Sequence, residues 1–109
     1  MHKLDGKDYY FDPEQGGGMV TGIKTIGQTT YLFTNAGYKS YGWHRIDGKD
    51  YYFDPLQGGG MLKGKHTIGQ TTYLFHNDGY KVFGWHRLSD GDHYFDPNFG
   101  GGLTIKKAM

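Results

Sequence analysis

Residues 2–43 and 44–85 are the same 42-residue sequence twice over, identical at 31 of 42 positions, and residues 86–102 begin a third copy. A repeat of this length constrains the fold more than any other feature. Each copy must form one supersecondary unit and bury its apolar face against the next. Each copy divides again into two hairpin signals. In one, residues 43–46 meet Asp47-Gly48 and then residues 49–53. Asp-Gly suits a two-residue type I′ turn, where both positions need φ > 0. In the other, residues 65–68 meet Gly69-Gln70 and then residues 71–75. A leading glycine suits type II′. Five hairpins are expected, turning at Asp5-Gly6, Gly27-Gln28, Asp47-Gly48, Gly69-Gln70 and Asp90-Gly91. Pro13, Pro55 and Pro97 end strands, since proline cannot donate to a ladder. The triple glycines at 16–18, 58–60 and 100–102 read as connectors. A lone hairpin is marginal in water, so neighbours must stack. The expectation is an all-β solenoid of stacked β-hairpins, a single repeat domain over residues 1–109.

Composition decides what fills such a core. Leu, Ile, Val and Phe total 21 of 109 residues, just under the ~20% that signals disorder. Aromatic residues are 17% of the chain and net charge is only +1, so rings of roughly 150–250 Å² each supply the missing apolar surface. The 20 glycines argue against long helices. Balanced charge lacks the basic footprint of a nucleic-acid binder. No apolar run approaches the ~18 residues of a membrane helix. Met1 runs directly into the first repeat, with no signal-peptide pattern in these residues. With no cysteine, disulfides and thiolate metal sites are excluded, and the compartment stays open.

A two-residue turn at 47–48 pairs Ile46 with Lys49, Arg45 with Asp50, His44 with Tyr51 and Trp43 with Tyr52. Alternation places Trp43, Arg45, Asp50 and Tyr52 on one face and His44, Ile46, Lys49, Tyr51 and Phe53 on the other. The first face offers two rings beside an ion pair. Rings stack on the apolar face of a pyranose while charged groups bond its hydroxyls. Trp85, Arg87, Asp92 and Tyr94 match these positions in the third copy. The first copy has Lys3, Asp8 and Tyr10 but no matching Trp, so at most two complete sites are expected. Tyr31, Tyr38, Tyr41, Tyr73, Tyr80 and Phe83 are the rings placed to close a pocket from a neighbouring turn. Tyr73 joins the candidate ligand-binding set. Trp43 and Trp85 read equally as ligand platforms or as buried rings holding hairpin to hairpin. Tyr51, Phe53, Tyr73 and Phe75 fit a core, and Arg45 with Asp50 also fits a solvated cross-strand pair.

The Gly-Trp pairs at 42–43 and 84–85, Gly-Lys-Asp-Tyr-Tyr-Phe at 6–11 and 48–53, and Asn-Ala-Gly-Tyr and Asn-Asp-Gly-Tyr at 35–38 and 77–80 recur in order. With these motifs the chain resembles the bacterial cell-wall-binding repeat superfamily. That group includes choline-binding modules, glucan-binding repeats of glucansucrases and receptor-binding repeats of large clostridial toxins. The resemblance implies a hairpin solenoid with ligands between successive hairpins. Choline-binding repeats typically read Gly-x-Trp-Tyr-Tyr, and their Trp helps form the cage for a quaternary ammonium. Asp8, Asp50 and Asp92 stand at that position here, and losing a π face weakens a cage. The resemblance therefore leans to a carbohydrate ligand over choline.

No catalytic constellation accompanies these motifs. Glu14 is the only glutamate and aligns with Leu56 in the next copy. A glycosidase needs two carboxylates ~5–9.5 Å apart, and no serine sits in a GxSxG elbow. The six histidines form no spaced metal-binding pair, and the triple glycines lack the phosphate-loop and calcium-repeat patterns. Neither a metal nor a cofactor is expected. The expected function is non-catalytic: a carbohydrate-binding module attaching a secreted or phage protein to cell-wall glycan or α-glucan at the bacterial surface. One alternative is a choline-binding module recognising teichoic acid. Another is a structural, self-associating repeat, and exposed strand edges make a homodimer an expected partner state.

Overall fold

Every expected hairpin forms, and each closes through a two-residue turn. The structure, a computed structural model, describes residues 1–107. The first hairpin pairs His2–Leu4 with Lys7–Tyr9, and the second Gly22–Ile26 with Thr29–Phe33. The third joins Gly42–Ile46 to Lys49–Asp54, the fourth Gly64–Ile68 to Thr71–Phe75, and the fifth Gly84–Leu88 to Gly91–Asp96. All are antiparallel, and among the described residues the regular structure besides strands is three one-turn 3-10 helices. Asp5 and Gly6 have φ of 51° and 76°, Asp47 and Gly48 53° and 77°. These are the two positive values a type I′ turn requires. Gly27 and Gly69 take φ of 66° at the leading turn position, as a type II′ turn demands.

The fifth turn departs from the expected Asp90-Gly91. Leu88 faces Gly91 across the ladder, so Ser89 and Asp90 form the turn. Register explains the difference. Keeping Trp85 opposite Tyr94 and Arg87 opposite Asp92 leaves His93 and Phe95 on the inner face, where both are fully buried. A one-residue slip would turn that whole set outward. Gly91, at φ 132°, absorbs the change at the start of the strand.

The triple glycines do more than connect. Asp12, Asp54 and Asp96 cap the short 3-10 helices that follow, each accepting the N–H two residues on, with proline in the first turn. The first glycine ends the helix in the left-handed region, and the N–H of the second donates to the capping aspartate's carbonyl at 2.8 Å. The third begins a strand running back along its predecessor: Gly18 faces Asp12, Gly60 faces Asp54 and Gly102 faces Asp96. Where connectors were expected, each Asp-Pro-x-x-Gly-Gly-Gly is a tight return that adds a strand.

Two compact units result, one of Met1–His44 with Tyr52–Met61, the other of Arg45–Tyr51 with the chain from Leu62 on. Phenylalanine near the end of a second strand forms the core of each. Phe33 and Phe53 are buried in the first unit, Phe75 and Phe95 in the second. Burying one such ring contributes ~1.5–3 kcal/mol. Histidines support the strands: the Nε2–H of His66 and His86 donates to the carbonyls of Lys63 and Phe83 at 2.7 and 3.0 Å. Outward cross-strand pairs alternate in chemistry along the chain. Thr25–Thr30 and Thr67–Thr72 share hydroxyl bonds of 2.7 Å where Arg45–Asp50 and Arg87–Asp92 form ion pairs.

Asp54→Ala removes the 2.9 Å cap on Leu56 N–H and is expected to cost about 1 kcal/mol, read as a lower denaturant midpoint at unchanged slope. Lys106 and then Lys65 hold the Asp90 carboxyl down at about 2, from an ordinary 3.8, against some opposing desolvation. A carboxyl lowered on folding stabilises fully above its unfolded pKa and loses that stabilisation as pH falls through its folded one. Asp90→Asn is therefore expected to flatten the stability profile between pH 3.8 and about 2, measured by denaturant unfolding across that window.

Candidate functional site

In the second unit, the outer face of the fifth hairpin assembles four expected site residues. Trp85 faces Tyr94 with ring centroids 5.1 Å apart, and Trp85 is 51% exposed. One step along the same face, Arg87 grips Asp92 through Nε and Nη2 at 2.8 and 3.1 Å. That fork-to-fork bond fixes the guanidinium plane. Ile105 on the third strand faces Tyr94 and is also exposed, which extends the apolar row. The result is a strip of two rings, tilted 45° to one another, bordered by a fixed charged pair.

A second feature of this unit forms where the tip of the third hairpin meets the segment after the fourth. The Lys81 N–H donates to the Asp50 carbonyl at 2.7 Å, locking the two segments together. Arg45 binds Asp50 in the same two-pronged way, at 3.0 and 3.2 Å. The Lys81 ammonium lies 3.5 Å from Asp50 Oδ2, and its side chain is only 10% exposed. It sits 5.3 Å from the Tyr73 ring and 5.5 Å from the Phe83 ring, within cation–π range. Beside it lies a cavity of about 520 Å³ lined by Arg45, Lys49, Asp50, Tyr80, Phe83 and His86, among others. Tyr80 stacks on His76 at 4.5 Å and carries the Lys49 ammonium over its ring at 4.5 Å.

The first unit repeats that arrangement one copy earlier. Lys39, 8% exposed, pairs with Asp8 at 3.6 Å and lies 4.9 and 5.8 Å from the Tyr31 and Tyr41 rings. Lys3 approaches Asp8 at 3.7 Å, and Lys7 covers Tyr38 at 4.3 Å. One difference is chemical: the Tyr41 hydroxyl donates to Asp8 at 3.1 Å, where the second copy has Phe83. Desolvation pushes the Asp8 carboxyl up, but the Tyr41 hydroxyl and the ammoniums of Lys3 and Lys39 outweigh it and hold the group below its ordinary value. Burial, then the bond to Asp8, pushes the Tyr41 phenol up. Trp43, 41% exposed, meets Tyr52 in this unit with centroids 5.0 Å apart.

The expected residues thus fall into separate groups. Trp85, Arg87, Asp92 and Tyr94 share one outer face. Asp50 and Tyr73 converge on Lys81, with Arg45 bound to the same Asp50. Trp43 and Tyr52 form a pair in the other unit. Both tryptophans are exposed rings rather than core, whereas Phe53 and Phe75 are core. Tyr80 and Phe83 line the cavity, as expected of rings placed to close a pocket. Lys39 and Lys81 went unrecognised in the sequence. Their signal was the Gly-Tyr-Lys kept in both copies at 37–39 and 79–81. Among the described residues no group of three His, Asp or Glu side chains is placed to hold a metal ion.

This architecture is a β-hairpin repeat module. Residues 42–55 match the family described as "Putative cell wall binding repeat". Choline binding protein F from Streptococcus pneumoniae, solved in the presence of a peptidoglycan analogue, is similar at 27% identity and a TM-score of 0.83 over 99% of this chain and 35% of that one. CbpJ from Streptococcus pneumoniae TIGR4 is similar at 27% identity and 0.81, over 97% and 35%. A truncated alternansucrase from Leuconostoc mesenteroides shares the fold at 24% identity and 0.60, over 93% of this chain and 8% of that one. No curated protein matches the chain in sequence. The chain spans about a third of the length of the pneumococcal proteins it resembles.

Tyr41→Phe copies the ring already present at position 83 and deletes the bond to Asp8. It is expected to cost roughly 0.5–1.5 kcal/mol and to raise the Asp8 carboxyl toward its ordinary value, followed by NMR titration of the side-chain carboxyl.

Proposed function

We propose that this chain is a non-catalytic carbohydrate-binding module that attaches a secreted or phage-encoded protein to bacterial cell-wall glycan or α-glucan. The carrying observation is the outer face of the fifth hairpin, where exposed Trp85 and half-buried Tyr94 lie beside the fixed Arg87–Asp92 pair. A pyranose presents an apolar C–H face and a rim of hydroxyls. The two rings meet the first, and the fixed guanidinium–carboxylate pair offers both donors and acceptors to the second. Trp43 with Tyr52, and Arg45 with Asp50, repeat these pairings one copy earlier. Shallow sites of this kind bind weakly one at a time, and linking them raises retention by effective concentration. The cell-wall-binding repeat matched at 42–55, and the similarity to a protein solved with a peptidoglycan analogue, support the same reading.

The similarity to choline-binding proteins favours a second reading, recognition of choline on teichoic acid. Retention of the purified chain on insoluble α-glucan and on Gram-positive cell walls, each with and without free choline, separates the two. Glycan binding predicts retention that choline leaves unchanged, and choline recognition predicts elution by it. Trp85→Ala is expected to weaken retention by about tenfold or more, the loss typical of a buried aromatic anchor, with little change in thermal midpoint. Unchanged retention, or loss of the fold, would remove Trp85 from the site.

A further inference from the structure

Two buried lysines are surrounded in a way that surface lysines are not. Each places its ammonium near the faces of two aromatic rings and within ion-pair distance of one carboxylate. Lys81 has Tyr73, Phe83 and Asp50 around it; Lys39 has Tyr31, Tyr41 and Asp8. The stem is enclosed as well. A Cβ on Gly101 would come within 3.2 Å of Lys81 Cδ and 2.9 Å of the Phe83 ring, and one on Gly59 would meet Lys39 Cδ at 3.2 Å and Tyr41 at 3.0 Å. The middle glycine of each triplet therefore closes over the lysine, where a larger residue would have to displace it. Ring faces plus a carboxylate in a desolvated recess are the chemistry that holds an organic cation. A lysine, two rings, a carboxylate and a glycine recur in this arrangement one copy apart, each set within its own compact unit.

We propose that Lys39 and Lys81 are resident cations: their ammonium groups fill two ring-and-carboxylate boxes and close them to soluble organic cations, and shortening either lysine opens a site for a small quaternary ammonium ion. An ammonium on a tethered stem reaches the box at an effective concentration that a dilute free ligand cannot match. Specificity at these boxes is thus set by the chain itself, by occupation rather than by shape. The fifth-hairpin face that carries the glycan reading uses none of these groups, so either can fail without the other.

The test uses tetramethylammonium and choline as probes against the wild-type chain and against Lys39→Ala and Lys81→Ala, with exposed Lys63→Ala as control. Ring proton shifts of Tyr73 and Phe83, or of Tyr31 and Tyr41, are followed by NMR, alongside the thermal midpoint. Saturable shifts with a raised midpoint are expected in the two box variants, and none in the wild type or the control. Shifts at these rings in the wild type would overturn the proposal, as would none in the variants. A variant that does not fold alone is expected to fold on adding either probe, and failure to do so counts against the proposal. The folded wild type gives an independent reading. The Cε protons of Lys39 and Lys81 should be displaced upfield by the ring currents relative to those of Lys63. Unshifted signals would overturn the assignment whatever the variants do.

Discussion

A two-residue turn leaves a hairpin no freedom of register, and everything else in this protein depends on that. Once Asp47 and Gly48 occupy the turn, the positions that face inward and outward follow from the pleat. The inner face then needs only a few rings to close it. Phe33, Phe53, Phe75 and Phe95 serve that role, which is how a chain with so few aliphatic residues still buries a core. The fifth hairpin shows which constraint is dominant. Its Asp-Gly pair is displaced by one residue, yet the turn stays where the buried face requires it, formed by Ser89 and Asp90. Turn preference amounts to a fraction of the energy of exposing Phe95 and His93, so the rings decide the register.

This division explains what was legible in the sequence and what was not. Cross-strand partners such as Arg87 and Asp92 are separated by four residues, so their pairing is read by counting outward from a turn. The exposure of Trp85 follows from the same count once Phe95 is assigned inward. Lys81 belongs to no hairpin. It arrives at Asp50 because the segment after the fourth hairpin bonds to the strand of the third, a contact no local pattern encodes. Only the repeat hinted at it. Positions 40 and 41 change from Ser-Tyr to Val-Phe at 82 and 83, while the lysine beside them is kept in both copies. The triple glycines were opaque for a related reason. Composition marks them as irregular chain, whereas the capping aspartate six residues before the third glycine makes them a return strand.

One aspartate position consequently serves two roles according to what the chain lays beside it. Asp8 pairs with Lys39 and Asp50 with Lys81, and each pair helps fasten a later segment to an earlier hairpin. Asp92 lies beside Arg87 on an open face that also carries the exposed ring of Trp85. The lysine contacts are the more demanding, since removing the carboxylate would take the ion-pair partner from a desolvated ammonium. A structural duty of that kind restricts Asp8 and Asp50 to acidic residues. The outward aromatic positions carry no such duty and are free to follow the ligand. Tyr41 and Phe83 illustrate the intermediate case: the ring beside the lysine is kept, and the hydroxyl that reaches Asp8 is dropped where Val82 replaces Ser40. Repeats built this way hold one framework through a buried cation and a buried ring, and they vary in recognition along the exposed faces of their hairpins.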